Sequence, residues 1–304
     1  MPFSLADRLD QTTTFKKSFI QRHPVISPIF ILIVLVASIY FISAEKAAPL
    51  IGVIPVDGVI FESETVIQKL RTLEENPAVR GIIVHVNSPG GAVAPSQEIF
   101  SELLRVGKKL PIYTSMSSIA ASGGYYIAVG TQKIFANPGT LTGSIGVIMQ
   151  TYNLEALMDK IGVYSEVIKS GKNKDIGSSF RKMTDSDRQL LTDVIKDTHS
   201  QFVQAVSDNR PLDKEQVERL ADGRIFTGQQ AYAEKLVDGL LGFRETVARI
   251  KQDIGITEPV ELYYVPDKKD SIFSIVDLLG SISNIKQQIS LNGLLYLNPS
   301  LINY

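Results

Sequence analysis

The run Arg80-Gly81-Ile82-Ile83-Val84-His85-Val86-Asn87 constrains the fold more than any other part of this chain. It is almost unbroken in β-branched residues, with no alternation of apolar and polar positions. A strand with one face in water alternates; a strand covered on both faces does not, and that is the signature of a parallel sheet with helices packed above and below it. Other stretches repeat the theme. Ile51-Gly52-Val53-Ile54-Pro55-Val56 reads as a buried strand ending in a turn at Asp57-Gly58, and Pro111 to Met116 reads as another. Between them, Glu64 to Glu75 and Gln97 to Val106 carry apolar residues at helical spacing. Lys133-Ile134-Phe135-Ala136 and Ile145-Gly146-Val147-Ile148-Met149 are expected to be two further short strands. Strand and helix alternate, so the sequence predicts βα units around a largely parallel sheet, an α/β fold. From Thr184 onward the pattern is helical: a long amphipathic helix to Ser207 with Thr184 as N-cap and an acidic first turn, then Lys214 to Ala221 and Gly228 to Lys235.

A second signal lies ahead of this region. Val25 to Ala44 contains no charged residue. Twenty such residues match the length of a helix that spans a bilayer. Lys16, Lys17 and Arg22 precede the segment, while Glu45 and Lys46 after it nearly cancel. The positive-inside rule then places residues 1–24 as a cytoplasmic leader and everything after residue 44 on the periplasmic or extracellular side of the membrane. The other reading of this stretch is a cleaved signal peptide. The 304 residues have a net charge of −1, which gives no sign of a nucleic-acid partner, and no cysteine, which excludes disulfides and thiolate chemistry. No cofactor and no metal are implied.

The residues that suggest chemistry sit at strand ends. Asn87-Ser88-Pro89-Gly90-Gly91 is expected to turn between a strand and a helix, with glycine N–H groups free to meet negative charge. A plain turn would look the same. Ser118-Ile119-Ala120-Ala121-Ser122-Gly123-Gly124-Tyr125-Tyr126 reads as a nucleophile turn: an apolar strand, a lone hydroxyl, then glycines opening a helix. A serine hydroxyl needs a base. The three histidines do not offer one: His23 precedes the apolar segment, His85 is mid-strand, and His199 lies on the polar side of a helix. Ser170-Gly171-Lys172-Asn173-Lys174-Asp175 offers a lysine instead, with Lys172 a rival to Lys174. Ser144, in Leu141-Thr142-Gly143-Ser144-Ile145-Gly146-Val147, is a further hydroxyl placed where it could orient an amine.

Taken in order, NSPGG, AASGGYY, TGSIGV and SGKNKD behind one apolar segment resemble the signal peptide peptidase A family, the S49 Ser/Lys peptidases, in its short form. The resemblance covers roughly residues 50–265 and includes Asp222-Gly223-Arg224-Ile225-Phe226-Thr227-Gly228; Ser179 stands where the family pattern has proline. It implies Ser122 as nucleophile, Lys174 as general base and Ser144 as the residue positioning the lysine. It also implies an oxyanion hole from Gly90 or Gly91 together with Gly123. The fold it implies is the Clp protease/crotonase-like spiral of ββα units, spanning 45–265 and assembling into homo-oligomeric rings. The activity is that of a membrane-anchored serine endopeptidase acting on signal peptides left in the bilayer. A crotonase-type acyl-CoA enzyme and a non-catalytic membrane scaffold are the alternatives. Residues 266–304 match no motif. One reading docks this apolar tail on a neighbouring protomer; the others are a packed C-terminal helix or a loose terminus.

Overall fold

The structure, a computed structural model, describes residues 32–35, 48–266 and 295–297. The chain divides into two units at Ala47/Ala48. In the first unit, 32–35 form a helical turn whose side chains are exposed. The rest of the expected anchor, like the leader before it, lies outside the described residues. No described helix is long and apolar enough to cross a membrane.

The second unit is mixed α/β around one nine-stranded, mostly parallel sheet. Three strands form its centre: β1 (Leu50–Ile60), β2 (Val79–Ala92) and β3 (Ile112–Ala121). β2 lies between the other two and is parallel to both. Ile82, Ile83, Val84 and Val86 of β2 are all buried, as expected of a strand covered on both faces. On one face pack α1 (Glu64–Glu75), α2 (Val93–Val106), α3 (Gly123–Val129) and α5 (Asp185–Asn209), through side chains such as Leu70, Leu73, Ile99, Leu103 and Phe202. On the other face, Ile51, Ile83, Tyr113 and Phe135 meet α8 (Phe243–Asp253) through Ile250.

The sheet forks along β3. Its first half, Tyr113 to Met116, pairs with β4 (Lys133–Ala136), and its second half, Ile119 to Ala121, pairs with β5 (Leu141–Gly143). β4 carries β7 (Gly239–Leu240), β5 carries the antiparallel β6 (Ile225–Thr227), and β1 carries β8 (Glu261–Tyr264). The short helices α4 (Glu155–Lys160), α6 (Lys214–Leu220) and α7 (Gly228–Ala233) complete the described elements up to residue 266. β9 (Leu295–Leu297) pairs antiparallel with Gly90–Ala92 of its own chain; the remainder of the tail lies outside the described residues.

Three expectations need correction. Asp57-Gly58 does not end β1: Gly58 takes a φ of 70° and the strand continues past a register shift to Ile60. Asn87 to Gly91 is not a turn but the end of β2, and the helix begins only at Val93. The reason is close packing, since a Cβ on Gly91 would stand 2.0 Å from the Ile60 carbonyl oxygen. Ile145 to Met149 forms no strand beyond a single bridge at Ile148. Ser144 before it has a φ of 51°, which breaks the extended run at the end of β5.

Candidate active site

Ser122 follows β3 directly and caps α3. Its backbone has φ 53° and ψ −116°, a conformation that L-residues rarely adopt, and its carbonyl accepts the Tyr126 N–H at 2.8 Å to start the helix. Strain of this kind persists only where the surroundings enforce it. Here they do. The Ser122 N–H donates to Gly143 O at 2.8 Å, and every residue of α3 is buried. Ala121 pairs with Gly143, so Ser122 and Ser144 leave neighbouring strands side by side, both with positive φ. Ser144 is anchored in turn by its N–H to Arg224 O at 2.8 Å.

The two serines line one cleft of about 360 Å³, although little of either is exposed (1% and 5%). Its other walls are Val147 and Ile148, the turn Ala221-Asp222-Gly223, and Ile195, Lys196 and His199 of α5. The glycine end of β2 runs beside it. Ser88 pairs with Ala120, and a Cβ on Gly124 would stand 2.8 Å from Ser88 O. Gly90 and Gly91 therefore pass the N-terminus of α3, where Gly123 holds a first-turn N–H with no partner inside the helix. The Gly90 N–H donates to Ser88 Oγ at 3.1 Å.

Lys174 is elsewhere. It is exposed, its N–H donates to Gly171 O at 3.1 Å, and neither it nor Lys172 lines the Ser122 cleft. The loop around it is pinned by Asp175, which accepts from Lys169 at 2.7 Å and from Arg181 at 3.0 Å. Arg181 also reaches Asp187 in the first turn of α5. These partners hold both carboxyls below the usual carboxylate range, Asp187 at about 2, with the Arg181 hydrogen bond the largest cause in each case.

The residues missed by sequence reasoning are Lys196 and His199. His199 faces the serine cleft rather than the open polar side of its helix. Its Nε2 lies 2.8 Å from Ala221 O, a carbonyl that can only accept, so Nε2 donates its proton there. The available signal was the three- and four-residue spacing along α5; its partner wall is distant in sequence. Among the described residues no group of three His, Asp or Glu side chains could hold a metal ion.

The profile of peptidase family S49 matches residues 105–257, and that of Clp protease matches residues 59–142. A Synechocystis sp. protein named "Putative protease" is 44% identical over 68% of this chain and 74% of its own. An Enterococcus faecium protein named "Putative signal peptide peptidase SppA" is 36% identical over 68% of this chain and 60% of its own. "Serine protease SPPA, chloroplastic" of Arabidopsis thaliana is 31% identical over 80% of this chain; the chain spans only 36% of that protein's length.

Proposed function

The chain belongs to peptidase family S49 and is a serine-type peptidase, and from that premise we propose that it is a membrane-anchored endopeptidase whose Ser/Lys dyad joins two protomers. Ser122 is the nucleophile. The observation that carries this is its backbone: the chain holds Ser122 at a φ of 53° between a strand and a helix, on the wall of a cleft. Lys174 is the base, and since it does not line its own chain's cleft, it serves the cleft of a neighbour. Large side chains around it face solvent, Tyr164 81% and Ile168 96% exposed, as a surface meant for another copy would be.

In this reading the neutral Lys174 amine takes the Ser122 hydroxyl proton as Oγ bonds to the peptide carbonyl carbon. Ser144 orients the amine. N–H groups of Gly123 and of Gly90 or Gly91 meet the oxyanion, with Gly90 first giving up Ser88. Collapse breaks the C–N bond, and the Lys174 ammonium protonates the leaving amine. Water, deprotonated by the same lysine, then cleaves the acyl-serine. No metal or cofactor enters. Residues 25–44 anchor the chain with its N-terminus in the cytoplasm, and released signal peptides are the substrates. The tail belongs to this picture: β9 lies along Gly90–Ala92, the edge an extended peptide would use. Glycine-rich backbone at the ends of β2 and β3 would also suit an acyl-CoA enzyme, but the family is one of peptidases.

Mixing tests the shared dyad. Ser122→Ala and Lys174→Ala are each expected to abolish hydrolysis of a peptide substrate. Co-assembled from denatured chains, the two variants should recover part of the wild-type rate, because some interfaces then pair an intact serine with an intact lysine. A mixture as dead as its components, in assemblies of wild-type size, rules the shared dyad out.

A further inference from the structure

The cleft at Ser122 continues beyond Ile148 and Ile195. The same two side chains also line a second hollow of about 430 Å³, whose other walls include Met149, Met183, Leu191 and Arg188. The two hollows form one groove. Its helical wall is a single face of α5, since Arg188, Leu191, Thr192, Ile195 and His199 recur at steps of three and four. Its other wall is the irregular stretch from Ser144 to Thr151. Arg188 and His199 are eleven residues apart on α5, a separation of about 16 Å at the helical rise of about 1.5 Å per residue. An extended peptide advances about 3.3 Å per residue, so about five of its residues fit between the two ends.

The charges at the far end are unequal in their commitments. Arg181 is held by Asp175 and Asp187, and Asp187 also accepts the Thr184 N–H at 3.0 Å. Arg188 is exposed and, among the described residues, takes part in no ion pair; Asp185, one turn before it, is likewise in none. The positive end of the α5 dipole is already met by Asp185 and Asp187, so the guanidinium is the positive charge left for a ligand there. The groove is apolar beside the nucleophile and turns polar beyond Ile195, at Gln150, Thr151 and Thr192, before it reaches an uncommitted guanidinium; that suits an extended segment that ends in an anion.

We propose that this groove holds the substrate chain on one side of the scissile bond, and that Arg188 binds a carboxylate about five residues away. The carboxylate is an acidic side chain or the free C-terminus of the peptide. The inference rests on Ser122 as the nucleophile, so the test separates the two. Labelling of full-length wild-type protein by a fluorophosphonate reports the nucleophile alone; no labelling of Ser122 overturns both statements. Peptides of one apolar sequence are then compared with a single Glu, or Gln, moved from three to seven residues from the cleaved bond on either side. Amidated and free C-termini distinguish the two sources of the carboxylate. The kcat/KM ratio of Glu to Gln peptide is expected to peak about five residues out, at roughly tenfold, the scale of one charge-assisted hydrogen bond. Arg188→Ala should bring that ratio to about one. Arg188→Glu should invert it and favour Lys, a gain that misfolding does not mimic. A flat profile in the wild type, or the same peak in Arg188→Ala, overturns the proposal. So does an Arg188→Glu variant that changes the size of the assembly and leaves the profile alone, because the groove then holds a second copy rather than substrate.

Discussion

His85 shows how much one side chain can carry without touching the cleft. It sits in β2 among α8 contacts, with its ring 4.9 Å from Phe243 in an edge-on arrangement. Its Nδ1 is buried with no hydrogen-bond partner, as are Asn87 Oδ1 and Ser115 Oγ nearby. Burial lowers its pKa below 6.5, outweighing the nearby Asp57 carboxylate, which favours the charged ring. A histidine with a depressed folded pKa binds its proton more readily when unfolded. Stability therefore rises with pH across the window between the folded value and about 6.5, and this group adds no slope above or below that window. Chemical denaturation between pH 7 and 5 is expected to show this slope in the wild type and a shallower one in His85→Gln. Equal slopes would mean that the ring is not the titrating group. Other contributions at this scale are steric. Gly91 is held by the Ile60 backbone, and no side chain fits there.

Among elements, the loop that carries Lys174 and the helix that lines the cleft are coupled through Arg181. Its guanidinium ties Asp175 to Asp187, which caps α5 together with Thr184 in a reciprocal box. Both carboxyls titrate low, so the stabilising contribution is complete above the ordinary carboxylate range and is lost as pH falls toward 2. Arg181→Ala is expected to speed hydrogen exchange in residues 169–178 and to cut peptide hydrolysis more than it lowers Tm. Unchanged exchange there would show that the loop is held by something else. The sequence revealed α5 and its Thr184 cap, because periodicity and capping are local. It revealed β2 and β4 for the same reason. It missed what depends on packing across the chain. Nothing local shows that Ser144 adopts a left-handed backbone and ends a strand, that packing against Ile60 keeps Asn87 to Gly91 extended, or that His199 lines the same cleft as Ser122. Lys174 was legible as a residue type beside Asp175, but that it would not line its own chain's cleft was not.

For the whole molecule, the question is what covers residues 152–168. Tyr152, Leu157, Ile161, Tyr164 and Ile168 are all exposed within this one segment. Single exposed apolar residues are ordinary; a group of this size in one segment marks an interface. If the proposed shared dyad holds, Ile168→Asp together with Tyr164→Asp is expected to give smaller species than the wild type in sedimentation and to remove peptide hydrolysis, while far-UV circular dichroism stays as in the wild type. A double variant that sediments as before would show that another surface holds the copies together. A different consequence follows from the backbone of Ser122 and Ser144. Domains of this kind are stable by only about 5–15 kcal/mol in total, and each residue held in such a backbone costs on the order of 1–3 kcal/mol. If Ser122 and Ser144 act as proposed, the protein keeps part of its margin locked in two residues that a mere scaffold would have no use for. Glycine at either place would relax the chain and make it sturdier. A duplicated copy freed from catalysis would gain by drifting that way, and its loss of function would be written at positions 122 and 144 as a gain in heat resistance.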